Sequence, residues 1–333
     1  MRHTEVRSTE AALAPTERGA SELRTERLPD IPTLLGELGE STDRVRSLMG
    51  DTYVLEAIEH LDRSGVSAQW FARRCTLLLI KPDAIVACAV EPSFEWLVEH
   101  GWQVLHVGRV PAQRHLARAL WHDSWASASP ERRRLADLLV GICDAVVLVV
   151  SDDDGVRRSG AARDVGIEAA TIRLTREKGP TVPSARRPGQ LRHRLGQHSY
   201  LLNLVHTPDT PAEVLREWAI VMDEEARTEC LADIVDRERT QSEVRERVTK
   251  LAETLYAEAP SRSFERSAAW GRLVADLGAT GHRYGDDPND DAAGEALLTD
   301  AWQRGDRLDP WSTIVLGSHV LPMTVDPRIR RKL

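Results

Sequence analysis

Two short runs constrain this chain more than anything else in it: CTLLLI at 75–80 and DAVVLVV at 144–150. Neither alternates apolar with polar residues, as a strand with one wet face would. Both read as buried strands. WQVLHVGRV (102–110) does alternate and reads as a further strand between them, and SYLLNLV (199–205) as a fourth. Helical spacing fills the gaps. SFEWLVEHG (93–101) is a short helix closed by Gly101. AQRHLARALWHDSW and SPERRRLADLLVGIC follow, the second opened by Ser129 as N-cap and Pro130 in the first turn. The order is strand, helix, strand, helices, strand, variable segment, strand, helix. It predicts an α+β fold: a ferredoxin-like βαββαβ sandwich with helices on one face of a mainly antiparallel sheet.

The rest of the chain is helical in pattern. With 333 residues it has the length of about two domains, at roughly 150 residues each. Residues 1–25 are polar and expected to be disordered, and 30–73 carry helical spacing, which makes 1–73 an N-terminal extension. Residues 223–333 interleave Arg and Glu with apolar residues and read as a mainly helical C-terminal domain. Its last stretch, STIVLGSHVLPMTVDPRIRRKL, reads as an extended tail. The net charge of −8 argues against an overall grip on nucleic acid or an anionic membrane. The longest apolar stretch, LADLLVGICDAVVLVV, is broken by Asp137 and Asp144 and is too short to span a bilayer. The N-terminus has no apolar secretory core, so a cytoplasmic protein is expected. Cys75, Cys88, Cys143 and Cys230 form no CxxC pair; three lie in or beside apolar runs and read as buried free thiols.

One side chain stands apart. His206 ends the fourth apolar run, and DTPAEVLREW behind it carries a helix-start signature. Thr210 is placed as N-cap, Pro211 as the first helical residue and Glu213 as the reciprocal partner of a capping box. The positive end of that helix attracts phosphate and discourages imidazolium formation. A neutral imidazole beside an anion site is a nucleophile towards a phosphoryl group. Lys81 directly follows the first strand, Arg192 sits in a Pro-Gly-led loop, and Asn203 lies three residues before His206. Converging on one face, they would clamp phosphate oxygens.

TLLLIKPDAI, GPTVPSARRPGQLR and NLVHTPDTPAEVLREW resemble, in this order, the three signature blocks of nucleoside diphosphate kinases. The resemblance covers about residues 74–222, less than half of the chain. It implies transfer of a γ-phosphoryl group from ATP or another nucleoside triphosphate to a diphosphate through a phosphohistidine, with Mg²⁺ held by the nucleotide phosphates and no protein ligand to the metal. By position, His206 would be the nucleophile, Lys81 and Arg192 would neutralise the transferred group, and Asn203 would meet the sugar hydroxyl. Thr181 would touch the β-phosphate, and Glu217 would orient the imidazole. Family members usually assemble as hexamers or tetramers. The resemblance thus implies a homo-oligomer, while the added flanks are placed to block those surfaces; both outcomes stay open.

The departures fall on the substrate loops. Thr207, Pro208 and Asp209 stand where the family has Gly-Ser-Asp, so a serine hydroxyl is lost. Ala84 replaces the glycine of the family's KPDG, and His193 and Arg194 follow Arg192 in place of Gly-Asp. Trp121 replaces the tyrosine near the phosphates, and Trp125 is the nearest aromatic for stacking on a base. The family's other phosphate arginine falls in the variable segment, where Arg176 is the nearest candidate and Arg163 the other. The expected activity is phosphoryl transfer through His206. Two rivals stand beside it: a repurposed nucleotide-dependent enzyme acting on a specialised small molecule, and a non-catalytic nucleotide-binding regulatory module.

Overall fold

The computed structural model describes residues 30–152, 168–196, 198–236 and 240–325. Arg163, the polar N-terminus and the basic C-terminal residues lie outside these. Four helices come first: α1 (Ile31–Glu37), α2 (Thr42–Leu48), α3 (Thr52–Arg63) and α4 (Ala68–Arg74). Each is opened by a side chain that accepts a first-turn N–H, from Asp30, Ser41, Asp51 and Ser67 respectively. Strand β1 (Cys75–Ile80) is followed by α5 (Pro82–Val86), α6 (Val90–Glu99) and β2 (Gln103–Val110). Helices α7 (Arg114–Leu120), α8 (His122–Trp125) and α9 (Pro130–Leu139) lead to β3 (Ala145–Ser151). Then come α10 (Ala170–Lys178), α11 (Leu191–Leu195), β4 (Val205–His206) and α12 (Pro211–Val221). The remainder is helical: α13 (Glu224–Val235), α14 (Gln241–Glu258), α15 (Arg266–Leu277), α16 (Asp291–Arg304) and α17 (Pro310–Val320).

The sheet runs β2-β3-β1-β4, antiparallel throughout, as expected for the ferredoxin-like plan. Leu78 pairs with Leu148 at its centre, and Leu79 pairs with His206 at its β4 edge. One expectation needs correction: helices cover both faces. Leu78, Ile80, Val146 and Leu148 pack with residues of α6, α10 and α14. Leu77, Leu79, Val147 and Val149 pack with α3, α4 and α12. This is why β1 and β3 are buried at every position and apolar at nearly all of them: neither of their faces meets water. The edge of β2 is closed by Gln241, whose amide accepts from Val104 N–H at 3.2 Å and donates to the Val104 carbonyl at 2.9 Å.

Two further readings change. The apolar run at 199–205 is strand only at its end, because buried polar side chains take up the backbone groups that a neighbouring strand would have used. Leu201 and Leu202 are buried instead in a third core made with α9, α15 and α17. The first part of the stretch read as an extended tail, residues 312–320, lies in α17, capped by Asp309 with Pro310 in the first turn. Its β-branched residues suggested strand, but burial of residues 311–318 stabilises a helix that is apolar nearly all round. Among the described residues no helix is long and apolar enough to cross a membrane.

Candidate active site

His206 sits at the sheet edge because β4 pairs with β1, and α12 starts five residues beyond it. Thr210 Oγ1 accepts from Glu213 N–H at 3.3 Å, the expected cap. The reciprocal half differs: Glu213 Oε2 takes the N–H of Asp209, not that of Thr210. Two turns into α12, Glu217 is buried and places both carboxylate oxygens on His206 Nε2, at 2.9 and 3.0 Å. The indole N–H of Trp121 points at His206 Nδ1 over 3.4 Å, with the rings edge to face. A carboxylate at Nε2 and a donor at Nδ1 specify one tautomer: the proton on Nε2 and a lone pair on Nδ1. An imidazole so held is poised as a nucleophile at Nδ1.

Cations gather beside it. Lys81 is buried; its Nζ donates to the Leu201 carbonyl at 3.1 Å and lies 3.3 Å from Asp83 Oδ2. Burial lowers its pKa, Asp83 opposes that, and the guanidinium groups of Arg192 and Arg186 add to it. Arg192 is buried and fully engaged. It donates to the carbonyls of Asn203, Gly179 and Val205, to Asn203 Oδ1 at 3.2 Å and to Thr181 Oγ1 at 3.4 Å. Burial, then the neighbouring Arg186, brings its pKa down to about 10. Arg186 is also buried and donates to the carbonyls of Pro180, Thr181, Gly196 and Ser199.

The backbone between these groups is strained. Leu204 has a φ of 68°, and Val205 N–H reaches the Asn203 carbonyl at 2.8 Å, closing a tight three-residue turn. Asp83 Oδ2 accepts Leu204 N–H, and the Leu204 carbonyl accepts Lys81 N–H, both at 2.9 Å. Gly179, at a φ of 89°, is held against the Gln190 side chain so closely that a Cβ would collide with it.

His206, Glu217 and Trp121 are thus in direct contact, and Lys81, Arg192, Asn203 and Thr181 share the adjoining loops. Asn203 spends its amide on the Tyr200 carbonyl and its oxygen on Arg192. Arg176 is not brought in. Its guanidinium is exposed and paired with Glu168 at 2.6 Å, because the inward face of α10 is made by Ala170, Thr171, Leu174 and Lys178. Trp125 lies under Arg118.

Lys178 is the residue that sequence reasoning missed. It is buried, and its Nζ donates to Thr207 Oγ1, next to His206. Burial, then the Arg192 charge, lowers its pKa to about 7, against the pull of Asp209 and Glu217. A signal existed: a lysine at the fourth position of a helical stripe otherwise free of charge, just before a glycine. The N-terminal helices also reach this region. Glu40 accepts from Thr210 Oγ1 at 2.6 Å, and Arg44 bridges Asp123, beside Trp121, and Glu213.

Residues 74–226 match the family model described as nucleoside diphosphate kinase. Solved structures are similar to part of the chain. The nucleoside diphosphate kinase of Aquifex aeolicus is 17% identical over 46% of this chain and 97% of its own, with a TM-score of 0.36. The NDP kinase from Pyrobaculum aerophilum is 20% identical over 46% and 97%, with a TM-score of 0.35. The Borrelia burgdorferi nucleoside-diphosphate kinase, a transition-state mimic with vanadate and ADP, is 16% identical over 46% and 89%, with a TM-score of 0.37. Comparison with curated proteins gave no match.

Proposed function

Starting from the premise that residues 74–226 form a divergent domain of the nucleoside diphosphate kinase family, we propose that this chain transfers a phosphoryl group from a nucleoside triphosphate through His206. The observation that carries the reading is the pair of contacts on one imidazole: a buried carboxylate on Nε2, and the Trp121 indole N–H on Nδ1, which together leave the lone pair on Nδ1. Nδ1 attacks the terminal phosphorus, the bond from phosphorus to the bridging oxygen breaks, and the nucleoside diphosphate leaves. The ring gains positive charge in that step, and Glu217 stabilises it. In the second half, a terminal oxygen of the acceptor attacks the phosphorus, and the N–P bond returns its electrons to Nδ1. The acceptor is a nucleoside diphosphate or a related molecule.

Lys81 and Arg192 contribute positive potential. Arg192 also fixes the loops at 179–181 and 203–205, since its donors are committed there. A donor set this cationic fits magnesium carried by the nucleotide phosphates, and no residue is assigned to hold the ion. Bound there, it would neutralise phosphate charge. The one described cluster with metal-ligand spacing, His106, Glu229 and Asp233, involves the opposite edge strand β2, and Arg247 already occupies both of its carboxylates.

The indole on Nδ1 favours one rival reading, a nucleotide-binding module without turnover. Incubation with γ-labelled ATP separates the readings. We expect an acid-labile, base-stable phosphoenzyme that His206→Ala abolishes. Label passed on to GDP identifies a general diphosphate kinase, and label retained points to a specialised acceptor. Tight nucleotide binding without any label refutes the transfer reading in favour of the module.

A further inference from the structure

Lys178 is a buried cation without a counter-ion. Only 4% of it is exposed, and its ammonium donates to one hydroxyl, Thr207 Oγ1. Among the described residues no carboxylate lies within ion-pair distance of it. A charged group is almost never buried in that state unless something else pairs with it. The charged groups facing it come from four elements: Lys81 before α5, Arg192 on α11, Asp209 before α12 and Glu217 on α12. Two are cations and two are acids, and one acid, Glu217, is already committed to His206. Thr207 itself is held by Thr175 Oγ1 at 3.0 Å, so its hydroxyl has a partner without the lysine. The ammonium has three donors and uses one of them here.

Resting on the phosphotransfer reading, we propose that Lys178 is the second cationic ligand of the nucleotide polyphosphate. Its ammonium would work beside Lys81, in the role that Arg176 was expected to fill, and it would accept a proton as the polyphosphate binds. The chemistry follows from the site. A lysine this buried, with the Arg192 charge near it, has a pKa brought down to about 7 and is largely neutral at pH 8. A polyphosphate within hydrogen-bond reach reverses the balance and draws the proton back. An arginine would stay charged throughout.

The test is calorimetric titration of Mg·ADP into the full chain at pH 8, in buffers of differing ionisation heat. Wild type should take up close to one proton per ADP bound. Lys178→Met should bind about ten- to a hundredfold more weakly and take up none. Lys178→Arg should restore most of the affinity with no uptake, and it covers the case in which the methionine variant does not fold. Unchanged affinity and uptake in Lys178→Met, or wild-type uptake in Lys178→Arg, overturns the proposal. If wild type still forms the His206 phosphoenzyme, the transfer reading survives that failure. A wild type that binds no nucleotide refutes both.

Discussion

Asp83→Asn would delete one negative charge from the middle of the cation cluster and little else. Asp83 is fully buried. Its Oδ2 serves Lys81 and the Leu204 N–H, while Oδ1 has no hydrogen-bond partner. An asparagine can keep its oxygen in the first place and put its NH₂ in the second, so the shape survives. At the observed 3.3 Å and an effective dielectric near 20, the attraction to Lys81 is about 5 kcal/mol before desolvation is subtracted. Arg186 and Arg192 lose the same counter-charge. Lys81 can shed its proton, since burial already lowers its pKa, and that limits the damage. The expected loss is about 3–5 kcal/mol, the range for broken buried pairs. At 2–4 °C per kcal/mol, Tm should fall by about 6–20 °C. Thermal melts with and without tripolyphosphate measure both sides of the argument. The variant holds more uncompensated positive charge, so tripolyphosphate should raise its Tm more than that of wild type. A Tm within a degree of wild type, or a smaller rise with tripolyphosphate, would refute the reasoning.

Glu217→Gln can still accept from His206 Nε2 but cannot offset charge on the ring, so phosphoenzyme formation should slow by about ten- to a hundredfold; an unchanged labelling rate would remove Glu217 from the chemistry. Trp121→Phe removes a long, weak hydrogen bond of at most about 0.5 kcal/mol and should speed labelling about twofold. A tenfold fall would show that the indole N–H takes part in transfer. Lys178 has a folded pKa of about 7, below the 10.5 of a free lysine. The unfolded chain therefore binds more protons between those values, and the destabilisation due to Lys178 is full below pH 7 and fades as pH rises. Relative to Lys178→Met, wild type should gain up to about 1.4 kcal/mol per pH unit in that window, read from denaturation midpoints at pH 7 and pH 9; parallel midpoints contradict it. Among the four cysteines, Cys88 is exposed, Cys75 and Cys230 are buried, and burial pushes the Cys143 thiol up to about 12. A thiol reagent at pH 8 should find one fast site, and a fast phase that persists in Cys88→Ser would contradict this.

The sequence by itself determined the two central strands and the carboxylate partner of His206. CTLLLI and DAVVLVV are apolar at nearly every position, a pattern that a half-wet strand or a surface helix would not carry, and both formed where expected. Thr210 and Pro211 fixed the start of α12 because caps act within one turn. That start, with the spacing to Glu217, placed a carboxylate on His206.

Only the tertiary structure decided the rest. SYLLNLV has the composition of a strand, but Lys81 and Asp83, distant along the chain, and Arg192 on α11 take its backbone groups and bend it through Leu204. STIVLGSHV has strand propensity, yet burial against α9, α15 and α16 makes it a helix. Arg176 and Lys178 are two residues apart in one segment, and the packing of α10 sends one to solvent and the other into the site. Local propensity is worth tenths of a kcal/mol per residue, whereas burying an apolar face or satisfying a buried cation is worth several. Where the two disagree, contacts between distant residues set the outcome, and a linear reading does not contain them.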